Sequence, residues 1–439
     1  MEPLSPRAQE FDSAQFQAAA RLTLTRNDRG GYTVPSPRLY PFQWNWDSAV
    51  VALGWMTFDE PRAWREFDRL FEGQWENGLL PHIVFQAPAE TYFPGPGEWG
   101  LADRRPPTSS ISQPPLAASM VLAMCRRAVD REGARRAAAR LRPKLVAWHR
   151  WWFRDRDPEG TGLVVTLHPW ESGLDNSPMW DEPLAAVPRT TRPYARRDLG
   201  FVDASMRPRQ ADYDRFVYLL DFFREARFEA ARLYAECPYR VADFGLNAML
   251  LRATEDLAEL CRWDEDETTA AELSVAAARM RSALRGLWSD EAGQFCSRDT
   301  RTGRLLTAQT HSTFLAWYGG VADEEAIDRR LGARLESWFA RSPYALPSTA
   351  LDSPQFEAAR YWRGPIWPHV NWLIATGLTR AGHAAWAKRL RDDTRRLFVK
   401  SGLREYFNPT TGEGYGGDDF SWTAAVVLFW CADDETETR

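Results

Sequence analysis

The sequence predicts an all-α fold, an (α/α)6 barrel: a toroid of helical hairpins with long loops gathered on one face. Three observations carry this. Apolar residues recur at three- and four-residue steps through about thirteen segments. Strand signals are few and short. The linkers alternate between very short ones, such as Asp59-Glu60-Pro61 and Asp130-Arg131, and stretches of roughly 20 to 50 residues rich in Pro, Gly and aromatics.

In chain order the helical pattern covers residues 16–24, 46–55, 63–75, 116–129, 132–152 and 212–235. It resumes over 243–260, 268–287, 313–318, 324–340, 366–378, 384–397 and 420–430. The best strand signal is 163–167, and a hairpin is expected around Gly293-Gln294-Phe295-Cys296. The long linkers are 25–44, 77–112, 154–210, 342–365 and 401–419. Loops this long in a compact fold usually carry function. No low-complexity linker divides the chain and no fixed-period repeat appears, so residues 1–439 are read as a single domain.

Composition excludes several classes. The net charge is −5 and no basic run exceeds a few residues, which argues against nucleic acid as a partner. The five cysteines are scattered with no CxxC, as in a reduced cytoplasmic protein without a disulfide framework or zinc site. The six histidines show neither HxxxH nor HExxH spacing, so no metal site is expected. Residues 1–12 hold no apolar stretch of the signal-peptide kind. No run of 18 apolar residues exists, so no membrane span is expected.

The chain has 21 tryptophans, and many fall in the long loops beside acids: Trp44, Trp46, Trp99, Trp170, Trp180, Trp362, Trp367 and Trp422. Core packing accounts for most tryptophans in any protein. Indole beside carboxylates and amides also suits a sugar, whose C–H faces stack on rings while its hydroxyls seek acceptors. The richest loop is His168-Pro169-Trp170-Glu171-Ser172-Gly173-Leu174-Asp175-Asn176-Ser177-Pro178. Gly173 and Pro178 rule out a helix interior. Far along the chain comes Arg404-Glu405-Tyr406-Phe407-Asn408-Pro409. Two acidic loops wrapped in aromatics are what a glycosidase needs to place one carboxyl group on each side of a glycosidic bond.

Other loops supply candidate walls. Tyr40-Pro41-Phe42-Gln43-Trp44-Asn45-Trp46-Asp47 interleaves rings with an amide and an acid. The alternative for Asp47 is a helix N-cap. Tyr92 and Gln113 are candidate contacts with equally simple packing or capping alternatives. Glu171 and Asp175 could be a solvated pair, although the ring, glycine and proline around them suit a shaped pocket in which a carboxyl pKa rises. Tyr361-Trp362-Arg363-Gly364-Pro365 leads into a helix. Gly412-Glu413-Gly414-Tyr415-Gly416-Gly417 reads as a flexible turn, with Glu413, Asp418 and Asp419 facing solvent.

The ordered series "YPFQWNWD", "GLLPH", "TSSISQPP", "HPWESGLDNSP", "YWRGPIWP", "REYFNP" and "FSWTAA" resembles glycoside hydrolase family 63 and its trehalase-like relatives, from about residue 20 to residue 432. Within that family the chain looks most like the small bacterial hydrolases of mannosylglycerate and glucosylglycerate. The resemblance implies an inverting mechanism, with Asp175 as general acid, Glu405 as general base and their carboxyl groups about 6.5–9.5 Å apart. It implies substrate contacts at Tyr40, Trp44, Trp46, Asp47, Tyr92, Gln113, Tyr361 and Trp362, and Trp170, Glu171, Arg363 and Gly364 in the same loops are further candidate contacts. It places Arg207 and Tyr213, in Met206-Arg207-Pro208-Arg209-Gln210-Ala211-Asp212-Tyr213-Asp214-Arg215, on the glycerate carboxylate. A guanidinium fork suits a carboxylate; the alternative is a surface arginine in a mobile loop. Glucosylglycerate-type members carry a glutamine before "SWTA", where this chain has Phe420, which favours mannosylglycerate.

The expected protein is therefore a cytoplasmic enzyme that recycles a charged compatible solute. It takes a small-molecule glycoside with a carboxylate aglycone, no metal or cofactor, no nucleic acid and no membrane, and homo-oligomers are allowed. Three alternatives stand beside it: an α-glucosidase of neutral disaccharides, a sugar epimerase, and a non-catalytic sugar-binding protein on the same barrel. Epimerases of this kind rely on histidines, and a binding protein needs no opposed acids.

Overall fold

The computed structural model describes residues 10–88 and 92–432, so the amino-terminal segment read for targeting lies largely outside the described residues. The helices are α1 Ser13–Asn27, α2 Asn45–Met56, α3 Glu60–Phe71, α4 Ala117–Arg127, α5 Arg131–Asp155, α6 Asp181–Ala185, α7 Gln210–Glu225 and α8 Ala230–Glu236. They continue as α9 Phe244–Trp263, α10 Glu267–Arg285, α11 Leu315–Tyr318, α12 Glu325–Arg341, α13 Pro368–Arg380, α14 Ala384–Ser401 and α15 Ser421–Val426.

Six of them close an inner ring. Helix α2 packs on α4, α4 on α9, α9 on α11, α11 on α13, α13 on α15, and α15 returns to α2. Outer helices α3, α5, α10, α14 and α1 back onto α2, α4, α9, α13 and α15. This is the (α/α)6 barrel. The division follows from sequence: every residue of α2 is buried, whereas α3 and α14 are amphipathic, with one apolar face and many charges. The ring is tight where glycine sits. A Cβ on Gly54 would lie 2.7 Å from that of Ala425, and one on Gly377 2.3 Å from the Tyr318 amide, so both seams require a missing side chain.

Periodicity located the helices and misjudged three details. The segment 212–235 is two helices, α7 and α8, because Arg227 and Phe228 take positive φ (53° and 59°) between them, and Phe228 turns its ring onto Trp75 at 5.7 Å. Residues 163–167 form no strand. Asn247 on α9 bonds both backbone groups of Val164, at 2.9 and 2.8 Å, leaving only a single bridge between Thr166 and Val241. The last helix changes at Val427–Cys431 into a π turn. The expected hairpin is present, pairing Trp288–Ser289 with Gln294–Phe295. No helix among the described residues is long and apolar enough to cross a membrane.

Candidate active site

One pocket, of about 580 Å³, draws on loops from across the sequence. Asp175 and Glu405 both line it, with Tyr40, Trp44, Trp46, Asp47, Tyr92, Gln113, Trp170, Arg207, Tyr213, Tyr361 and Trp362. Trp46 and Asp47 belong to the first turn of α2, and Trp422 to the first turn of α15. Asp47 is therefore not the cap of α2, a position held by Trp44.

Asp175 is held through its neighbours. Residues 169–172 form a 3-10 turn capped by His168, whose Nδ1 accepts from the Trp170 amide at 3.1 Å. Gly173 follows with φ 72°, and a Cβ there would sit 2.7 Å from the Trp46 ring, so only glycine lets the loop lie on that indole. Trp180 Nε1 donates to the Leu174 carbonyl at 2.8 Å. The Trp362 amide donates to Asn176 Oδ1 at 3.0 Å. Both flanks are pinned, while the Asp175 carboxyl itself makes no hydrogen bond to a described protein group. Burial, reinforced by the charge on Glu405, pushes its pKa up to about 7, against the lowering pull of Arg207.

Glu405 is fully buried and lies in a different environment. Tyr40 Oη donates to Oε1 at 3.0 Å and the Gly417 amide to Oε2 at 2.9 Å. Burial raises its pKa, while Arg207 and these donors pull it down. Tyr40 Oη also accepts from Arg207 Nη1 at 2.7 Å and lies 3.0 Å from Tyr361 Oη. A bare carboxyl and a solvated-by-protein carboxylate in one pocket is the arrangement that separates an acid from a base. Asp47 is a third carboxyl, pushed well up by burial and by Glu405, with no protein hydrogen bond to its side chain among the described residues. The Gln113 amide oxygen accepts from the Trp46 amide at 3.3 Å, which leaves its NH₂ for a ligand.

If Asp175 must be protonated and Glu405 ionised, activity is expected to follow a bell in pH. The alkaline limb falls as pH rises through about 7, where Asp175 loses its proton. The acid limb lies above the ordinary glutamate value of 4.5, because Glu405 is raised. A pH–kcat/KM profile checks both limbs; a plateau running undiminished to pH 9 would remove Asp175 from the role of acid.

Three residues expected at the substrate do not line the pocket. Glu171 is fully buried behind the loop, where it accepts from Arg156 Nη2 at 2.9 Å and from the Leu167 amide at 2.7 Å. It fixes the turn that carries Asp175 and cannot also serve a sugar. Arg363 is spent on Asp181, at 2.6 and 2.8 Å, and on Glu357 at 3.1 Å. Gly364 donates its amide to Ser348 Oγ at 2.9 Å and lies too close to the Glu357 carbonyl for a Cβ. Arg207 departs from the mobile-loop alternative: it is 4 % exposed, bonded to Asp198 and Tyr40, with its guanidinium 4.3 Å from the Tyr361 ring centroid.

The structure adds Pro35, His82, Gly173, Phe420 and Trp422 to the wall. Among the lining residues His82 is the one histidine; burial lowers its pKa far below the usual value, and Nδ1 is engaged by Ser109 Oγ at 2.6 Å. The turn 412–417, read as flexible, is a cradle for Glu405. Gly416 has φ 73°, and a Cβ there would stand 2.2 Å from Glu405 Oε2. Glu413, Asp418 and Asp419 do face solvent. No group of three or more His, Cys, Asp or Glu residues among the described residues is arranged to hold a metal ion.

Residues 40–423 match the family described as the mannosylglycerate hydrolase MGH1-like glycoside hydrolase domain. The chain is 48% identical over 427 residues to mannosylglycerate hydrolase MGH1 of Selaginella moellendorffii, covering 96% of this chain and 87% of that protein. It is 36% identical to a glucosylglycerate hydrolase of Mycolicibacterium hassiacum, over 97% and 99% of the two chains. The crystal structure of a GH63 mannosylglycerate hydrolase from Thermus thermophilus in complex with Tris and D-glycerate superposes with a TM-score of 0.91 at 45% identity. It covers 94% of this chain and 99% of that one.

Proposed function

Because the chain belongs to the mannosylglycerate hydrolase MGH1-like glycoside hydrolases, we propose that it hydrolyses 2-O-α-mannosylglycerate, and with lower efficiency 2-O-α-glucosylglycerate, to the free hexose and D-glycerate. The observation that carries this is the pairing, in one pocket, of a buried carboxyl with no hydrogen bond to a described protein group, a hydrogen-bonded carboxylate and a single lining arginine.

Asp175 gives its proton to the glycosidic oxygen as the bond to the anomeric carbon breaks. A water on the opposite face loses its proton to Glu405 as it attacks that carbon, so the α-linkage yields a β-hexose. The hexose stacks among Trp44, Trp46, Trp362 and Trp422, and its hydroxyls meet Asp47 and the Gln113 amide. The glycerate carboxylate meets Arg207, with Tyr213 beside it. Phe420 presents an apolar wall and favours mannose. The described residues act as one catalytic domain, and the enzyme works in the cytoplasm on a stored solute.

An epimerase would need two histidines at the sugar, and the lining offers only His82, neutral and already bonded. Mannosylglycerate, glucosylglycerate, trehalose and maltose assayed side by side test the reading. Mannosylglycerate is expected to give the highest kcat/KM. A preference for glucosylglycerate would reverse the hexose assignment, and faster turnover of trehalose or maltose would overturn the charged aglycone.

A further inference from the structure

A smaller cavity, of about 280 Å³, adjoins the pocket and shares Tyr40, Tyr92, Arg207 and Tyr213 with it. Its added acid is Asp198, on a short turn at Asp198–Gly200. Arg196 grips this carboxylate from one side, Nε to Oδ1 at 3.1 Å and Nη2 to Oδ2 at 2.7 Å. Arg196 has little freedom, since its Nη1 donates to the Pro208 carbonyl at 2.8 Å and its guanidinium carbon lies 4.0 Å from the Tyr213 ring centroid. On the other side Oδ2 accepts from Arg207 Nε at 3.0 Å. Both arginines are 5 % exposed in their side chains and Asp198 is 10 %.

This fixes how Arg207 presents itself. Its Nε edge is taken by Asp198 and its Nη1 by Tyr40 Oη; Nη2 makes no hydrogen bond to a described protein group. The free donors are therefore at the tip of the fork, where a planar carboxylate binds end-on. Charge points the same way. Two cations and one anion leave the Arg196–Asp198–Arg207 cluster at +1, a charge that faces both Glu405, reached through Tyr40, and an incoming carboxylate.

We propose that Asp198, locked by Arg196, is a positioning residue for the aglycone carboxylate: it holds the guanidinium of Arg207 by one edge so that its tip faces the substrate. The inference rests on the charged aglycone of the proposed function. A competing electrostatic effect runs the other way, because Asp198 also repels a bound anion. The structure favours positioning, since without the carboxylate two buried guanidiniums would face each other uncompensated.

The test uses the full chain, with Asp198→Asn, Asp198→Glu and wild type compared on mannosylglycerate, on α-mannosyl fluoride, which has no aglycone carboxylate, and by calorimetric titration with D-glycerate. Asp198→Asn is expected to raise KM for mannosylglycerate about tenfold or more, with the loss on mannosyl fluoride at least tenfold smaller. One broken charge-assisted bond is worth a change of this order. Asp198→Glu, although the larger disturbance in shape, keeps the charge and is expected to retain more glycerate affinity than Asp198→Asn. Equal losses on both substrates, or glycerate affinity in Asp198→Asn equal to or tighter than wild type, would overturn the proposal while leaving the function standing. Wild type that neither cleaves mannosylglycerate nor binds glycerate would overturn both.

Discussion

Asp175→Asn and Glu405→Gln are each expected to lower kcat on mannosylglycerate by about 10²–10⁴, the usual cost of a positioned acid or base, with thermal unfolding near that of wild type. The fold should tolerate both changes. The Asp175 carboxyl makes no hydrogen bond to a described protein group, and a glutamine at 405 can still accept from Tyr40 or from the Gly417 amide. The two variants should part on α-mannosyl fluoride. Fluoride leaves without a proton, so Asp175→Asn should regain much of its lost rate there. Glu405→Gln should stay impaired, because water still needs a base. If Glu405→Gln recovers on the fluoride and Asp175→Asn does not, the two roles are exchanged.

Arg207→Ala is expected to raise KM for mannosylglycerate by about ten- to a hundredfold, since a charge-assisted hydrogen bond contributes roughly 1.5–3 kcal/mol. The structure adds that neutral substrates will also suffer. Arg207 donates to Tyr40, which donates to Glu405, and the arginine's charge pulls down the pKa of both Asp175 and Glu405. Its removal should therefore move the alkaline limb of the pH profile upward, as Asp175 holds its proton more strongly. The loss on α-mannosyl fluoride should remain about tenfold smaller than that on the glycerate glycoside. Equal loss on both, with an unmoved pH profile, would make Arg207 a packing residue.

Much of this was legible in the sequence because two patterns speak plainly. The inner helices announce themselves as apolar runs, and the loops between them as clusters of Pro, Gly and Trp. Neighbouring residue types marked the Glu171/Asp175 loop and Glu405 as candidates, since the Gly173 and Pro178 that break the helix pattern also shape the loop, while only the resemblance to family 63 preferred Asp175 to Glu171. Other roles turn on partners far away in sequence. Glu171 and Asp175 look alike on paper; only the Arg156 guanidinium and the Leu167 amide, delivered by folding, consign one to scaffolding. Arg363 beside Trp362 reads as a pocket residue until Asp181 is found across from it. Asp198 follows two arginines and passes for a solvated charge, because nothing local reveals that Arg207 reaches its carboxylate or that the Arg196 gripping it lies over the Tyr213 ring. Gly416 reads as slack, whereas its missing Cβ makes room for the Glu405 carboxylate.

Single-step inversion on a glycerate glycoside between Asp175 and Glu405 fixes the anomer that leaves the pocket first. It is tested most directly by proton NMR of mannosylglycerate hydrolysis, followed from the first minute. Free D-glycerate is expected together with β-mannose as the first anomer, which then mutarotates toward the α form. α-Mannose appearing first would require a covalent intermediate and a second displacement, and would contradict the mechanism.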